Sequence, residues 1–211
     1  MSKRIVLPKL YAIVDVTCFS PQLRTMNAIV EFARDLVSGG VTLLQYRNKE
    51  GMTREMMAHA LEIKRVVEGK AALIMNDRAD LCVAAGFEGV HLGQDDLPAD
   101  AARLVVGSGR WIGVSTHNRD QVAEADAGPA DYIAIGPVFP TSGKKNPDQL
   151  VGLEGVRMAR EITKKPLVAI GGITRKTAKS VIEAGADCVA VISDLLSSPK
   201  KVSEEFLRSL E

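Results

Sequence analysis

Five residues of this chain could together hold a phosphorylated anion and a hard metal ion. Arg47, Lys49 and Lys144 carry positive charge, and Asp77 and Asp96 carry carboxylate oxygens. Guanidinium forks and ammonium point charges both bind phosphate oxygens. Two carboxylates beside such a basic set suit Mg2+ shared between the protein and a pyrophosphate. A second group offers different chemistry. Gly171-Gly172 and Ile192-Ser193 each close an apolar run. A phosphate can sit at such a place on backbone N–H groups and a short helix N-terminus. Glycine lets the backbone come close to the oxygens. The sequence therefore predicts two phosphate sites, one metal-assisted and one metal-free.

Each residue alone has a plainer reading. Arg47 and Lys49 could be ordinary surface charges. Asp77 and Asp96 could cap the helices that follow them. Gly171-Gly172 could be a tight turn, and His117 suits a structural role better than a catalytic one. Position is what argues against these readings, and position depends on the elements.

Short apolar runs at 10–14, 41–46, 72–75, 89–92, 111–114, 132–135, 166–170 and 188–192 carry little internal polarity. That is the pattern of parallel strands covered on both faces. Helical stretches lie between and after them at 26–37, 54–68, 80–85, 99–106, 121–127, 154–163, 177–184 and 202–210. Gly39-Gly40, Gly69 and Gly185 are stop signals. Three helix-to-strand joins look alike: SGGVTLL, AGFEGVHL and AGADCVAVI. Strand–helix units repeated in this way predict an α/β protein, a closed (β/α)8 TIM barrel forming one domain over 1–211.

In such a barrel the site lies at the carboxyl ends of the strands. The second run ends on Gln45, Tyr46, Arg47, Asn48 and Lys49. The third is followed by Asn76, Asp77 and Arg78, and the fourth by Gly93, Gln94, Asp95 and Asp96. Ser115, Thr116 and His117 follow the fifth. Gly136-Pro137 and then Thr141, Ser142, Gly143, Lys144 and Lys145 follow the sixth. Independent surface decoration would not align with one barrel face. The stretch 136–152 is the longest irregular one, and a loop of that length is usually functional.

Composition narrows the class. The 211 residues are 46% hydrophobic and 25% charged, with a formal net charge of +1. That balance gives no case for a nucleic-acid or membrane partner. No segment approaches the roughly 20 apolar residues of a membrane span. The start MSKRIVLPKL lacks the pattern of a signal peptide. Cys18, Cys82 and Cys188 are odd in number and have no metal-ligand spacing, which fits a reducing, cytoplasmic setting. A homo-oligomer is left open.

From about Leu10 to Ser193 the chain resembles the thiamine phosphate synthase family. The stretches that carry the resemblance are QYRNK at 45–49, NDRAD at 76–80, HLGQDD at 91–96 and GVS at 113–115. They continue with GPVFPT at 136–141, Lys144, AIGGI at 169–173 and AVIS at 190–193. The resemblance implies a transferase of thiamine biosynthesis that acts on small molecules. Hydroxymethylpyrimidine pyrophosphate would alkylate the ring nitrogen of hydroxyethylthiazole phosphate, or of its carboxylate form, giving thiamine phosphate and pyrophosphate. It implies Mg2+ on Asp77 and Asp96. Gln45, Tyr46, Arg47, Asn48, Lys49 and Asn76 would line the pyrimidine pyrophosphate site. Arg47, Lys49, Ser115 and Lys144 would act on the departing pyrophosphate. Thr141, Ser142 and Gly143 would approach the thiazole phosphate, and Gly172, Ile192 and Ser193 would bind its phosphate. The family loop reads Thr, any residue, Thr, Lys; here Gly143 stands in place of the second Thr.

Two rivals remain on the same barrel. A thiazole tautomerase would use a histidine such as His117, but it has no pyrophosphate to stabilise. A non-catalytic barrel that binds a phosphorylated ligand would not need Asp77 and Asp96.

Overall fold

The computed structural model describes residues 5–67, 69–141 and 149–211. Eight strands close into a parallel barrel in chain order: β1 (Leu10–Asp15), β2 (Leu43–Arg47), β3 (Ala72–Asn76), β4 (Gly89–Leu92), β5 (Trp111–Thr116), β6 (Tyr132–Ile135), β7 (Leu167–Ile170) and β8 (Cys188–Val191). Closure comes from β1 pairing with β8, Leu10 opposite Val189. The helices are α1 (Met26–Ser38), α2 (Thr53–Val67), α3 (Ala79–Ala85), α4 (Ala99–Val106), α5 (Arg119–Ala127), α6 (Gly152–Ile162), α7 (Ala178–Glu183) and α8 (Pro199–Ser209).

The elements agree with the apolar pattern, and the differences have local causes. Thr25 starts α1 by accepting from the Ala28 N–H, and Asn118 starts α5 by accepting from the Gln121 N–H. Helix α8 begins three residues earlier than the apolar pattern indicates. Pro199 sits in its first turn, where a missing N–H costs nothing. Strands β2, β3 and β5 run on into their polar residues, so Arg47, Asn76 and Ser115 belong to strands and not to loops.

Strand alternation divides the core in two. One set, including Val14, Leu44, Tyr46, Met75 and Val90, packs outward against the helices. The other fills the barrel: Tyr11, Ile13, Leu43, Ile74, Tyr132, Ala134, Val168, Cys188 and Ala190. Cys82 and Cys188 are buried free thiols.

Acids before three of the strands have a structural role at the amino end of the barrel, two of them within the similar joins AGFEGVHL and AGADCVAVI. Glu88, Asp131 and Asp187 stand just before β4, β6 and β8. Their carboxylates accept from the N–H groups of Leu73, Ile112 and Leu167 at the starts of the neighbouring β3, β5 and β7. Each of these three acids thus satisfies a backbone donor at the start of a neighbouring strand.

Gly113 makes room inside the barrel. A Cβ at this position would overlap the ring of Tyr132. The substitution Gly113→Ala should therefore lower stability by about 1–3 kcal/mol through overpacking. Denaturant unfolding measures this, and an unchanged midpoint would contradict the packing described.

Candidate active site

The site is built at the carboxyl mouth of the barrel. Asp77 follows β3 with φ 60°, a left-handed conformation that Asp tolerates better than most residues. Its N–H donates to the carbonyl of His91 at 2.8 Å, which anchors it over β4. This conformation turns the carboxyl toward two partners. Lys49 Nζ lies 3.0 Å from Asp77 Oδ2, and the Asp96 carboxyl is in hydrogen-bonding contact with it. Asp96 is itself fixed, since its Oδ2 accepts from the Gly93 N–H at 2.7 Å. Neither acid caps a helix: α3 is preceded by Arg78 and α4 by Pro98, and neither provides a side-chain cap.

Two adjoining carboxylates repel when both are ionised. Burial and Asp96 push the Asp77 pKa up to about 6, against the opposing pull of Lys49. Such a pair fits a divalent cation. Among the described residues no larger group of Asp, Glu, His or Cys forms a metal cage. Mg2+ can bind through one or two carboxylates and complete its shell with water and substrate phosphate.

Arg47 ends β2 and forms an ion pair with Asp15 at the end of β1, its register partner. Asp15 is only 2% exposed and also accepts from the Thr17 N–H and hydroxyl. The sequence reading missed Asp15, though it directly follows the first apolar run. Arg24 ties the segment after β1 to the loop after β2, reaching the carbonyls of Thr17 and Phe19 and the carboxylate of Glu50.

Ser115 and Gln45 point into the barrel, and buried side chains connect them. Gln45 Nε2 donates to the Tyr11 hydroxyl at 2.8 Å, and the Tyr11 and Tyr132 hydroxyls lie 3.2 Å apart. The Tyr132 hydroxyl is 3.0 Å from His91 Nδ1, and His91 Nε2 is 2.9 Å from Ser115 Oγ. Burial pulls the His91 pKa down to about 4, so the ring is neutral. Gln94 Nε2 holds the Ser115 carbonyl at 2.6 Å. Tyr11, His91 and Tyr132 were not predicted as site residues. Their signal was strand alternation, which places them on the inward face with Gln45 and Ser115.

Two expected site residues face elsewhere. Tyr46 points outward to the helices, its hydroxyl 2.8 Å from His59 Nδ1 of α2. Asn48 is buried beneath the loop after β2. Its Oδ1 accepts from the Glu50 and Gly51 N–H groups, and its Nδ2 reaches the Tyr46 hydroxyl. Both support the loop that carries Lys49 instead of lining the mouth. Alternation is the reason, since a residue between inward Gln45 and Arg47 must face out. His117 Nδ1 donates to the Gly136 carbonyl at 2.6 Å, so this nitrogen joins β5 to β6.

The second group converges separately. Thr141, Gly172, Ile192 and Ser193 line a cavity of about 360 Å³ with Cys18. Gly171 and Gly172 both have positive φ, 101° and 62°. A side chain on Gly172 would also press on the Pro140 carbonyl at 2.5 Å. Asp15 and Arg47 both act on the Cys18 thiol, so their ion pair lies close to this cavity. Ser142, Gly143 and Lys144 lie outside the described residues.

Residues 10–195 match the family model described as thiamine monophosphate synthase. The chain belongs to this family. The thiamine-phosphate synthase of Koribacter versatilis is 55% identical over 100% of this chain and 99% of its own. That of Caldicellulosiruptor bescii is 41% identical over 86% of each. Among solved structures, the thiamine phosphate pyrophosphorylase of Pyrococcus furiosus superposes with a TM-score of 0.84. It is 34% identical and matches 96% of this chain and 95% of its own. Family membership makes the chain a transferase of thiamine biosynthesis with small-molecule substrates.

The Asp77–Asp96 pair yields a pH test. A carboxyl whose pKa is raised on folding stabilises the fold below its unfolded pKa, and this contribution is lost as pH rises through the folded pKa. With metal chelated, Tm should therefore fall between about pH 4 and pH 7 more steeply in the wild type than in Asp77→Asn. Parallel Tm profiles would remove Asp77 from the carboxylate pair. Mg2+ should raise wild-type Tm above pH 6 and leave Asp77→Asn almost unmoved.

Proposed function

We propose a catalytic reading of the thiamine-phosphate synthase activity that family membership assigns to this chain. The C–O bond of hydroxymethylpyrimidine pyrophosphate breaks, and its electron pair leaves on the pyrophosphate. The positive methylene carbon is stabilised by the electron-rich aminopyrimidine. The thiazole ring nitrogen then donates its lone pair to form the new C–N bond. No proton need be removed for this step.

The protein's work is mainly electrostatic and positional. In this reading Arg47, Lys49, Ser115 and Lys144 would act on the leaving pyrophosphate, and Gln45 and Asn76 would bind the pyrimidine side. Thr141, Ser142 and Gly143 would serve the thiazole substrate, whose phosphate would be held by Gly172, Ile192 and Ser193 through backbone N–H groups. Asp77 and Asp96 would hold Mg2+, which when bound would offset charge on the pyrophosphate. Lys49 moving away from Asp77 would free its ammonium for the incoming anion and the Asp77 carboxylate for the cation.

One observation carries this reading. The carboxylate pair with Lys49 and the Gly172–Ser193 cavity occupy the same end of the barrel. Two distinct groups at one mouth suit one phosphate group that leaves and one that stays. The small phosphorylated substrates and the balanced charge support a cytoplasmic enzyme without a nucleic-acid or membrane partner. Among the described residues no helix is long and apolar enough to cross a membrane.

Incubating the protein with both substrates and Mg2+ should give thiamine phosphate and pyrophosphate in equal amounts. Chelation should abolish turnover; product formation unaffected by chelator would refute the metal role. Lys144→Ala should lower kcat far more than it raises KM, as expected for a charge that acts while pyrophosphate departs. A pure KM effect would reassign Lys144 to substrate binding.

A further inference from the structure

The buried side chains between Gln45 and Ser115 form a hydrogen-bond series whose direction is fixed at one end. The amide nitrogen of Gln45 can only donate, so the Tyr11 hydroxyl accepts from it. The Tyr11 hydrogen is then best used on the Tyr132 oxygen, and the Tyr132 hydrogen on His91 Nδ1. The reverse direction would leave the Tyr11 hydroxyl accepting twice with its hydrogen unused by any partner in the series. A neutral ring that accepts at Nδ1 carries its hydrogen on Nε2. Nε2 must then donate to Ser115 Oγ. A serine oxygen that accepts from below keeps its own hydrogen for a group above.

We propose that His91 and Tyr132 are positioning residues that hold His91 as the Nε2–H tautomer and so make Ser115 a hydrogen-bond donor toward the departing pyrophosphate. The inference rests on the proposed contact between Ser115 and that anion. The opposite tautomer would take the serine hydrogen on Nε2 and present only lone pairs to a polyanion, which repels them. Geometry favours a fixed arrangement. The His91 and Tyr132 rings lie 5.6 Å apart at 25°, and Tyr11 meets Tyr132 edge-on at 6.3 Å. The gap left by Gly113 accommodates Tyr132, so its hydroxyl is held beneath His91 by packing. Each participant stands on a different strand: β1, β2, β4, β5 or β6. A local change in any one of these strands therefore reaches Ser115.

Nitrogen-15 NMR of the full-length, ligand-free protein tests the tautomer directly, with the His91 signals assigned by their loss in His91→Asn. The expected pattern is a protonated Nε2 and an unprotonated Nδ1. In Tyr132→Phe that preference should shift toward a mixture. A protonated Nδ1 in the wild type overturns the proposal and leaves the synthase assignment intact, because no substrate is present. The kinetic arm is a double-mutant cycle. Tyr132→Phe should lower kcat roughly tenfold with little change in KM, the scale of one mispositioned hydrogen bond. Combined with Ser115→Ala it should add almost nothing, since Tyr132 acts through Ser115. Multiplying losses would show that Tyr132 works independently of Ser115 and would overturn the proposal. Failure of Ser115→Ala to reduce kcat would overturn it as well, by removing the underlying contact with pyrophosphate.

Discussion

Barrel closure is the constraint on which the remaining structure depends. Once β1 pairs with β8, no strand has a free edge and the interior has a fixed width. Every second strand residue must then fit that interior. Near the amino end it is filled by apolar residues such as Leu43, Ile74 and Val168. Toward the carboxyl end the same inward positions carry Gln45, Arg47, Asn76, His91 and Ser115. Buried polar groups need partners. Here they find them across the barrel, and among the described residues no buried side-chain polar atom lacks one.

In the proposed function this mouth would receive a polyanion and a divalent cation. In the structure its charges are already paired with each other. Arg47 rests on Asp15, and Lys49 rests on Asp77. The two pairs differ in solvation. Asp15 is deeply buried, which makes Arg47 a fixed charge, while Lys49 is about half exposed and its stem can swing. A guanidinium held rigidly and an ammonium free to move suit an anion that must first bind and then depart.

The fold was legible because it rests on local patterns. The eight apolar runs, their spacing and the glycine stops locate the strands and helices to within a few residues. The amphipathic pattern did not reach the first turn of α8, because Pro199 and the lysines after it are helical without being apolar. The ends of β1, β2, β3 and β5 were placed too early because apolar character was the guide, and these strands end in polar residues at the mouth. Residue type and position together indicated the Asp77–Asp96 pair and the Gly172–Ser193 cavity. The resemblance to the synthase family gave them named roles.

The sequence by itself determined the barrel, the end of it that carries chemistry and the residue types available there. Tertiary structure alone decided which residues meet. Tyr46 and Asn48 share a motif with Gln45 and Arg47 yet serve the outer face, because alternate residues of a strand point in opposite directions. Asp15 joins Arg47 only through the pairing of β1 with β2. Ser115 is linked to Gln45 through residues 11, 132 and 91, which are far apart along the chain. Such contacts depend on register and on closure, and both arise from the whole sheet. No segment of sequence contains that information, since the Tyr11–Tyr132 and Tyr132–His91 bonds join strands that are not paired neighbours and meet only after the barrel forms.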